Sequence, residues 1–116
     1  MQYVMLIADD TSVAPGSEED QAAIYEKIGA WWGELAAKGK IVGGNELQGT
    51  DTAKTVRITG ERVSVTDGPF IESKEVIGGY GVLECDTIDE AVAIAKTWPS
   101  PTATIEVRPT VYHGDA

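Results

Sequence analysis

The chain has 116 residues, of which 42% are hydrophobic and 24% charged, which is typical of one soluble globular domain. Its formal net charge is −10, and such an acidic surface repels phosphate backbones, so direct nucleic-acid binding is not expected. No apolar run approaches the roughly 20 residues that cross a bilayer, so a membrane-spanning class is not expected either.

The start of the chain and its cysteine usage predict a location. The first residues lack the basic start and cleavage site of a signal peptide, and Asp9 and Asp10 interrupt the first apolar run. The single cysteine, Cys85, lies in an apolar segment, which favours a reduced structural thiol. We therefore expect a cytoplasmic protein with one domain over residues 1–116, of which residues 110–116 form a tail.

The first elements are a strand and a helix. Residues 3–8 are apolar at nearly every position, as in a strand covered on both faces. Ser17 is a typical helix N-cap, and acidic residues follow it where the helix dipole favours negative charge. Apolar residues recur at helical spacing from Ile24 to Leu35, and Gly39 is a typical helix end.

Two adjacent tryptophans lie in this helix. The spacing of Trp31 matches the apolar stripe and favours a place in the core, while Trp32 widens the stripe. For Trp32, the sequence leaves open both a core position and the wall of a ligand cavity.

The middle of the chain predicts strands. Residues 41–47 form one strand, and residues 55–58 and 62–66 flank Gly60-Glu61 as a hairpin. Residues 77–85 form a further strand with unusually dense glycine, which indicates either a bulge or the close approach of another group. These glycines are Gly78, Gly79 and Gly81.

The last elements are a helix and a strand. Thr87 and Glu90 have the spacing of a capping box, and apolar residues continue at helical spacing until Pro99. In the final strand, residues 104–108, Ile105 and Val107 alternate with charged residues and so lie on one face. The charged residues of the other face are Glu106 and Arg108.

Asp67-Gly68-Pro69 has turn chemistry that raises a functional question. A turn aspartate usually bonds the N–H two residues on, but Pro69 has none, so the carboxylate must find another partner. Asp67 then either points into a site or is a solvated turn residue. The Gly68–Pro69 bond is predicted to be trans, as most such bonds are.

The segment Asp67-Gly68-Pro69-Phe70 continues into Glu72, Lys74-Glu75 and Gly79-Tyr80, and Glu106-Val107-Arg108-Pro109 closes the last strand. These residues resemble the DGPF branch of the YCII-related family, over nearly the whole chain. The resemblance implies a ferredoxin-like fold that pairs as a dimeric α+β barrel. Most members have no assigned activity; some are similar to enzymes with a His–Asp pair, and some are associated with extracytoplasmic-function sigma factors.

The order of elements predicts an α+β fold, ferredoxin-like β-α-β-β-α-β with an inserted hairpin. Both crossover helices then cover one face of the sheet and leave the other bare. Because the first strand is apolar on both sides, the simplest cover for the bare face is a second copy of the chain. The sequence therefore predicts a homodimer.

Charged residues on the bare face need partners or water. We therefore group six residues as a candidate site, in which Asp67 is the candidate catalytic base and Arg108 binds an anion. The ligand-binding candidates are Glu72, Lys74, Tyr80, Glu106 and Arg108. An alternative is an ion-pair network that only fixes the turn against the last strand.

Cofactor and metal signatures are missing from the sequence. The only histidine, His113, falls in the predicted tail, so the His–Asp pair of the resemblance does not transfer. We expect no metal and no cofactor.

Three functions stay open. The first is a homodimer that binds a small anionic ligand in a polar cleft at the DGPF turn. The second is an enzyme of proton-transfer, isomerase or lyase type with Asp67 as base. The third, which rests on the resemblance alone, is a regulatory module linked to a sigma factor.

Overall fold

The structure is a computed structural model that describes residues 1–71 and 73–114. The described residues form six strands and two α-helices, and each strand lies within two residues of its predicted bounds. In chain order they are β1 (Gln2–Asp10), α1 (Glu18–Ala37), β2 (Ile41–Glu46), β3 (Lys54–Thr59), β4 (Arg62–Asp67), β5 (Glu75–Glu84), α2 (Ile88–Ala95) and β6 (Thr104–Pro109).

Four of the strands form one sheet in the order β2-β5-β1-β6, with every neighbouring pair antiparallel. This order, with a helix after the first strand and another before the last, is the ferredoxin-like arrangement that the sequence predicted. Strands β3 and β4 pair with each other in a separate two-stranded sheet. The predicted α+β fold with an inserted hairpin is therefore confirmed.

The core lies between the sheet and the two helices. Tyr3, Met5 and Ile7 alternate along β1 and are buried, because every second side chain of a strand points to the same face. Met5 and Leu83 are fully buried, and burying a side chain of this size contributes about 1.5–3 kcal/mol. Cys85 is buried in the same cluster, and burial raises the pKa of its thiol, as suits a structural cysteine.

Trp31 belongs to this core, as predicted. Its ring meets that of Trp98 edge to face, with the centroids 5.1 Å apart, and its indole N–H donates to Thr97 Oγ1 over 2.7 Å. This contact joins α1 to the segment that follows α2.

The helix caps are partly as predicted. Ser17 caps α1 in a full capping box with Asp20. Thr87 accepts the N–H of Glu90, but the Glu90 carboxylate accepts from the N–H of Asp86 and from Lys40. Glu90 therefore reaches back as predicted, but to the N–H of Asp86 and not to that of the N-cap Thr87, and its second oxygen binds Lys40. No helix of the described residues is long and apolar enough to span a membrane.

Gly44 of β2 lets α1 approach the sheet. A side chain on Gly44 would collide with the Tyr80 carbonyl oxygen and lie 2.6 Å from Trp32 Cη2, and the φ of Gly44 is 136°. A β-bulge interrupts the β1–β5 register at Gly78. The Asp9 carboxylate also lies where a side chain on Gly78 would stand, so both expectations for the dense glycines of β5, a bulge and a close approach, are confirmed.

Gly44→Ala is expected to lower the free energy of unfolding by about 1–3 kcal/mol, because a methyl group there needs a strained backbone and displaced neighbours. The matched control is Gly33→Ala in α1, where a methyl group would meet nothing within 4 Å. That change should raise stability by about 0.5–1 kcal/mol, since alanine favours the helix more than glycine. Urea unfolding followed by circular dichroism measures both, and equal effects would contradict the close approach.

Candidate functional site

Asp67, the predicted base, lies at the end of β4 and does not point into a cavity of the single chain. Its side chain is 87% exposed and forms an ion pair with Lys54, its register partner on β3, over 2.5 Å. The partner that Pro69 could not supply is therefore a lysine across the hairpin. An exposed pair of this kind contributes about 0–1 kcal/mol.

The next two predicted residues are Lys74 and Glu72. Lys74 is exposed in the segment before β5, where its carbonyl oxygen accepts from the backbone N–H and the hydroxyl of Thr11. Glu72 lies outside the described residues.

No cis peptide bond occurs in the described residues, so the trans prediction for Gly68–Pro69 is confirmed.

Tyr80, Glu106 and Arg108 lie on the face of the sheet that no helix covers, which we call the open face. Tyr80 on β5 and Glu106 on β6 are the two register partners of Leu6 on β1. Arg108 Nη1 lies 3.5 Å from Glu106 Oε2. The predicted alternation along β6 is thus confirmed, because Ile105 and Val107 pack on the core. The single chain does not bring this group together with Asp67 and Lys74, so the six-residue site stays a prediction.

A different cavity, which the sequence did not predict, lies between α1 and the sheet. Its volume is about 330 Å³. Most of its wall is apolar, from Ile7, Ile24, Ile28, Trp32 and Trp98, and polar groups come from Asp9, Tyr25, Glu46 and Ser100, with Gly44, Asn45, Gly78, Gly79 and Tyr80 completing it. A small, mostly apolar pocket with a few converging polar groups is the usual form of a small-molecule site.

Two glycine contacts shape this cavity. Trp32 lies over Gly44, packs against the core and also lines the cavity, so both positions left open for this tryptophan apply. The Asp9 carboxylate lies where a side chain on Gly78 would stand. Missing side chains on the strands therefore leave space that Trp32 and Asp9 border.

The polar end of the cavity is acidic. Burial raises the pKa of Asp9, and the nearby Glu46 carboxylate raises it further. The Tyr25 hydroxyl donates to Glu46 Oε1 over 2.7 Å, and this hydrogen bond raises the pKa of Tyr25. No lysine, arginine or histidine lines the cavity among the described residues. A carboxyl group with a raised pKa can exchange protons nearer neutral pH than an ordinary aspartate.

The sequence contained a weak signal for this cavity. In the sequence Asp9 marks only the end of an apolar run, because nothing in the local pattern shows what lies beside it in space. The glycines of β5 did indicate the close approach of another group, but not that the group is a carboxylate. Among the described residues no cluster of three or more His, Cys, Asp and Glu side chains is placed to hold a metal ion.

Comparisons with known proteins give a family and two relatives. The model of the YCII-related domain matches residues 1–112. The uncharacterized protein R00369 of Rhizobium meliloti (strain 1021) is 31% identical over 113 residues, which cover 94% of this chain and 91% of that protein. A solved structure of 5-chloro-2-hydroxyhydroquinone dehydrochlorinase (TftG) from Burkholderia phenoliruptrix AC1100, in complex with 2,5-dihydroxybenzoquinone, is 19% identical with a TM-score of 0.49, over 98% of this chain and 96% of that one.

Asp9→Asn is expected to stabilise the protein at pH 7. The folded-state pKa of Asp9 is raised, so the favourable contribution is complete below the unfolded value of 3.8 and is lost as pH rises through the folded pKa. The neutral amide of asparagine does not ionise, so the variant does not lose this stability as the pH rises. The gain in Tm over wild type should therefore shrink as the pH falls towards 4.

Asp10→Asn is the matched control with the opposite sign. Hydrogen bonds from the Ser12 side chain and backbone lower the pKa of Asp10, so its contribution is present above 3.8 and is lost as pH falls through the folded pKa. This variant should be less stable than wild type at pH 7 and should approach it in acid. Thermal unfolding between pH 3 and 8 measures both, and parallel profiles would contradict the assignment for Asp9.

Proposed function

We propose, from the premise that this chain belongs to the YCII-related family, that it binds a small molecule in the cavity under α1 and transfers a proton there through Asp9. The family and its relative R00369 assign no activity by themselves. The observation that carries the proposal is a carboxyl group with a raised pKa at the polar end of an apolar cavity.

The cavity favours a ligand of about one ring. Its volume of about 330 Å³ is near the lower end of the roughly 300–1,000 Å³ of small-molecule sites. Ile24, Ile28 and Trp32 offer apolar surface and an aromatic face for such a ring. Polar substituents of the ligand would meet Asp9 and Glu46.

The charges of the cavity select the polar groups of that ligand. Asp9 and Glu46 accept hydrogen bonds and repel anions, and no cationic side chain among the described residues lines the wall. We therefore favour a neutral or cationic ligand that donates hydrogen bonds, such as a phenol, an enol or an amine. The anionic ligand expected at the DGPF turn depends on Lys74 and Arg108, which lie apart in the single chain, and it stays a prediction.

Proton transfer follows from the same geometry. Ionised Asp9 accepts a proton from the bound ligand, and the protonated carboxyl group is the form that burial favours. Returning the proton to another atom of the ligand completes an isomerisation. The Tyr25–Glu46 hydrogen bond holds a second acceptor near Asp9, where it can accept from the donating group of the ligand. In this proposal Asp9 takes the role of base that the sequence gave to Asp67.

The open face supports the homodimer. Val4, Leu6 and Ala8 of β1 lie on it half-buried, beside Val82 of β5. An apolar sheet face without cover within the chain favours a second copy, related by a two-fold axis. The cytoplasmic location and the link to a sigma factor have no supporting observation in the fold and stay predictions.

Phenol, benzylamine and benzoate test the cavity, because they share one ring and differ in charge. Phenol and benzylamine should quench tryptophan fluorescence and shift the amide resonances of Ile28 and Trp32. Benzoate should bind at least tenfold more weakly, a difference of about 1.4 kcal/mol. Amide shifts measured by NMR locate each probe.

Asp9→Asn and Asp67→Asn separate the two candidate bases. Asp9→Asn should weaken benzylamine at least tenfold, because it removes a negative charge from the cavity wall, whereas Asp67→Asn should leave all three affinities within about threefold. If none of the probes binds under α1, or if benzoate binds tightest with shifts around Arg108, the proposal is wrong.

A further inference from the structure

The cavity under α1 adjoins a wider groove. Both spaces are lined by Asp9, Ile24, Trp98 and Ser100, so they meet at these four side chains. The groove has a volume of about 1010 Å³, against about 330 Å³ for the cavity. A ligand bound under α1 therefore has room to extend past this junction.

The groove follows α1 towards the start of the helix. Gln21, Ile24 and Lys27 line it at intervals of three residues, as expected for one face of a helix. Ile28, one turn after Ile24, lines the cavity. The two spaces are therefore neighbours along one helix, with the groove on the N-terminal side.

The segment after α2 gives the groove a preformed wall. Trp98 packs edge to face against Trp31 of α1, with the ring centroids 5.1 Å apart. Pro99 and Pro101 line the groove on either side of Ser100, and the ring of each proline fixes its own φ. A wall that is ordered before binding lowers the entropic cost of ordering a ligand against it.

The loop between β1 and α1 forms another wall. Val13, Ala14 and Pro15 of this loop line the groove with apolar surface. The loop is held at its start, because the backbone N–H and the hydroxyl of Thr11 both donate to the Lys74 carbonyl oxygen, over 2.6 and 2.9 Å. The groove therefore offers an apolar lining from two separate segments.

The charged groups of the groove favour a neutral occupant. Asp10 accepts from the N–H and the hydroxyl of Ser12, and Asp20 accepts from the N–H of Ser17. Lys27 is the only cationic side chain that lines the groove among the described residues. Charges of both signs are present and the two aspartates already have partners, so apolar surface is what the groove favours most.

Asp9 lies between the two apolar spaces. It lines both of them, and its side chain is exposed in the chain. A hydrogen-bond donor that reaches Asp9 is therefore in the middle of an extended ligand and not at its end. This position decides where the ligand carries its substituent.

We infer that the ligand has two apolar parts, a ring in the cavity and a substituent in the groove, with its proton-donating group between them at Asp9. The inference rests on the function proposed above and names a substrate class for it: a neutral phenol or enol substituted next to the donor. An ortho substituent leaves the ring beside the hydroxyl group, whereas a para substituent leaves from the opposite edge and meets the cavity wall.

Two isomers, 2-benzylphenol and 4-benzylphenol, test the substitution pattern, because they have the same composition and charge. The 2-isomer should bind at least about tenfold tighter than the 4-isomer and than phenol, since it alone keeps the contact with Asp9 while it buries the second ring. Isothermal titration calorimetry measures the three affinities. In NMR spectra, 2-benzylphenol should shift the amide resonances of Val13 and Ala14, and phenol should not.

Ala23→Trp and Ala22→Trp locate the substituent. The two alanines are adjacent and exposed on α1, but Ala23 lines the groove and Ala22 lines neither the groove nor the cavity. An indole in the groove should reduce the preference for the 2-isomer over the 4-isomer to less than about threefold, while Ala22→Trp should keep it near tenfold. Circular dichroism checks that both variants keep the fold.

The outcomes separate this inference from the proposed function. If phenol does not bind under α1, the proposed function fails and the inference fails with it. If phenol binds there but the two isomers bind equally, or 2-benzylphenol leaves Val13 and Ala14 unshifted, the inference alone is overturned. Equal isomer preferences in Ala22→Trp and Ala23→Trp overturn it as well.

Discussion

The close approach of α1 to a sheet with bare backbone is the constraint on which the rest of the structure depends. Trp32 can lie over β2 because Gly44 has no side chain, and Asp9 can turn towards α1 because Gly78 has none. The space between these two contacts is the cavity. Dense glycine normally weakens a strand, but here it leaves the space that the cavity occupies.

The electrostatics of the cavity follow from that approach. The Asp9 side chain stays partly exposed, but the cavity wall removes some of the water around its carboxyl group, and the nearby Glu46 adds repulsion. Both causes raise the pKa of Asp9. The Tyr25 hydroxyl is bonded to Glu46 and leaves Asp9 available for a ligand. An acidic protein with an acidic cavity favours ligands that donate hydrogen bonds or carry positive charge.

Two apolar surfaces of this chain have no cover within it: the open face of the sheet and one face of the β3–β4 hairpin. The energetic reason to cover both is the same, since apolar area removed from water is favourable in proportion to its size. The homodimer proposed above would cover the open face of the sheet.

The sequence by itself determined the strands, the helices and their order, because alternation, helical spacing and caps are local properties of the chain. The topology then follows from the order of these elements. It also indicated that something approaches the glycines of β5, and that Glu106 and Arg108 share a face. Only the tertiary structure decided that Asp67 pairs with Lys54 and that Asp9 lies in a cavity. The reason is physical: the pKa and the function of a carboxylate depend on neighbours that are distant in the chain, and no local pattern encodes their positions.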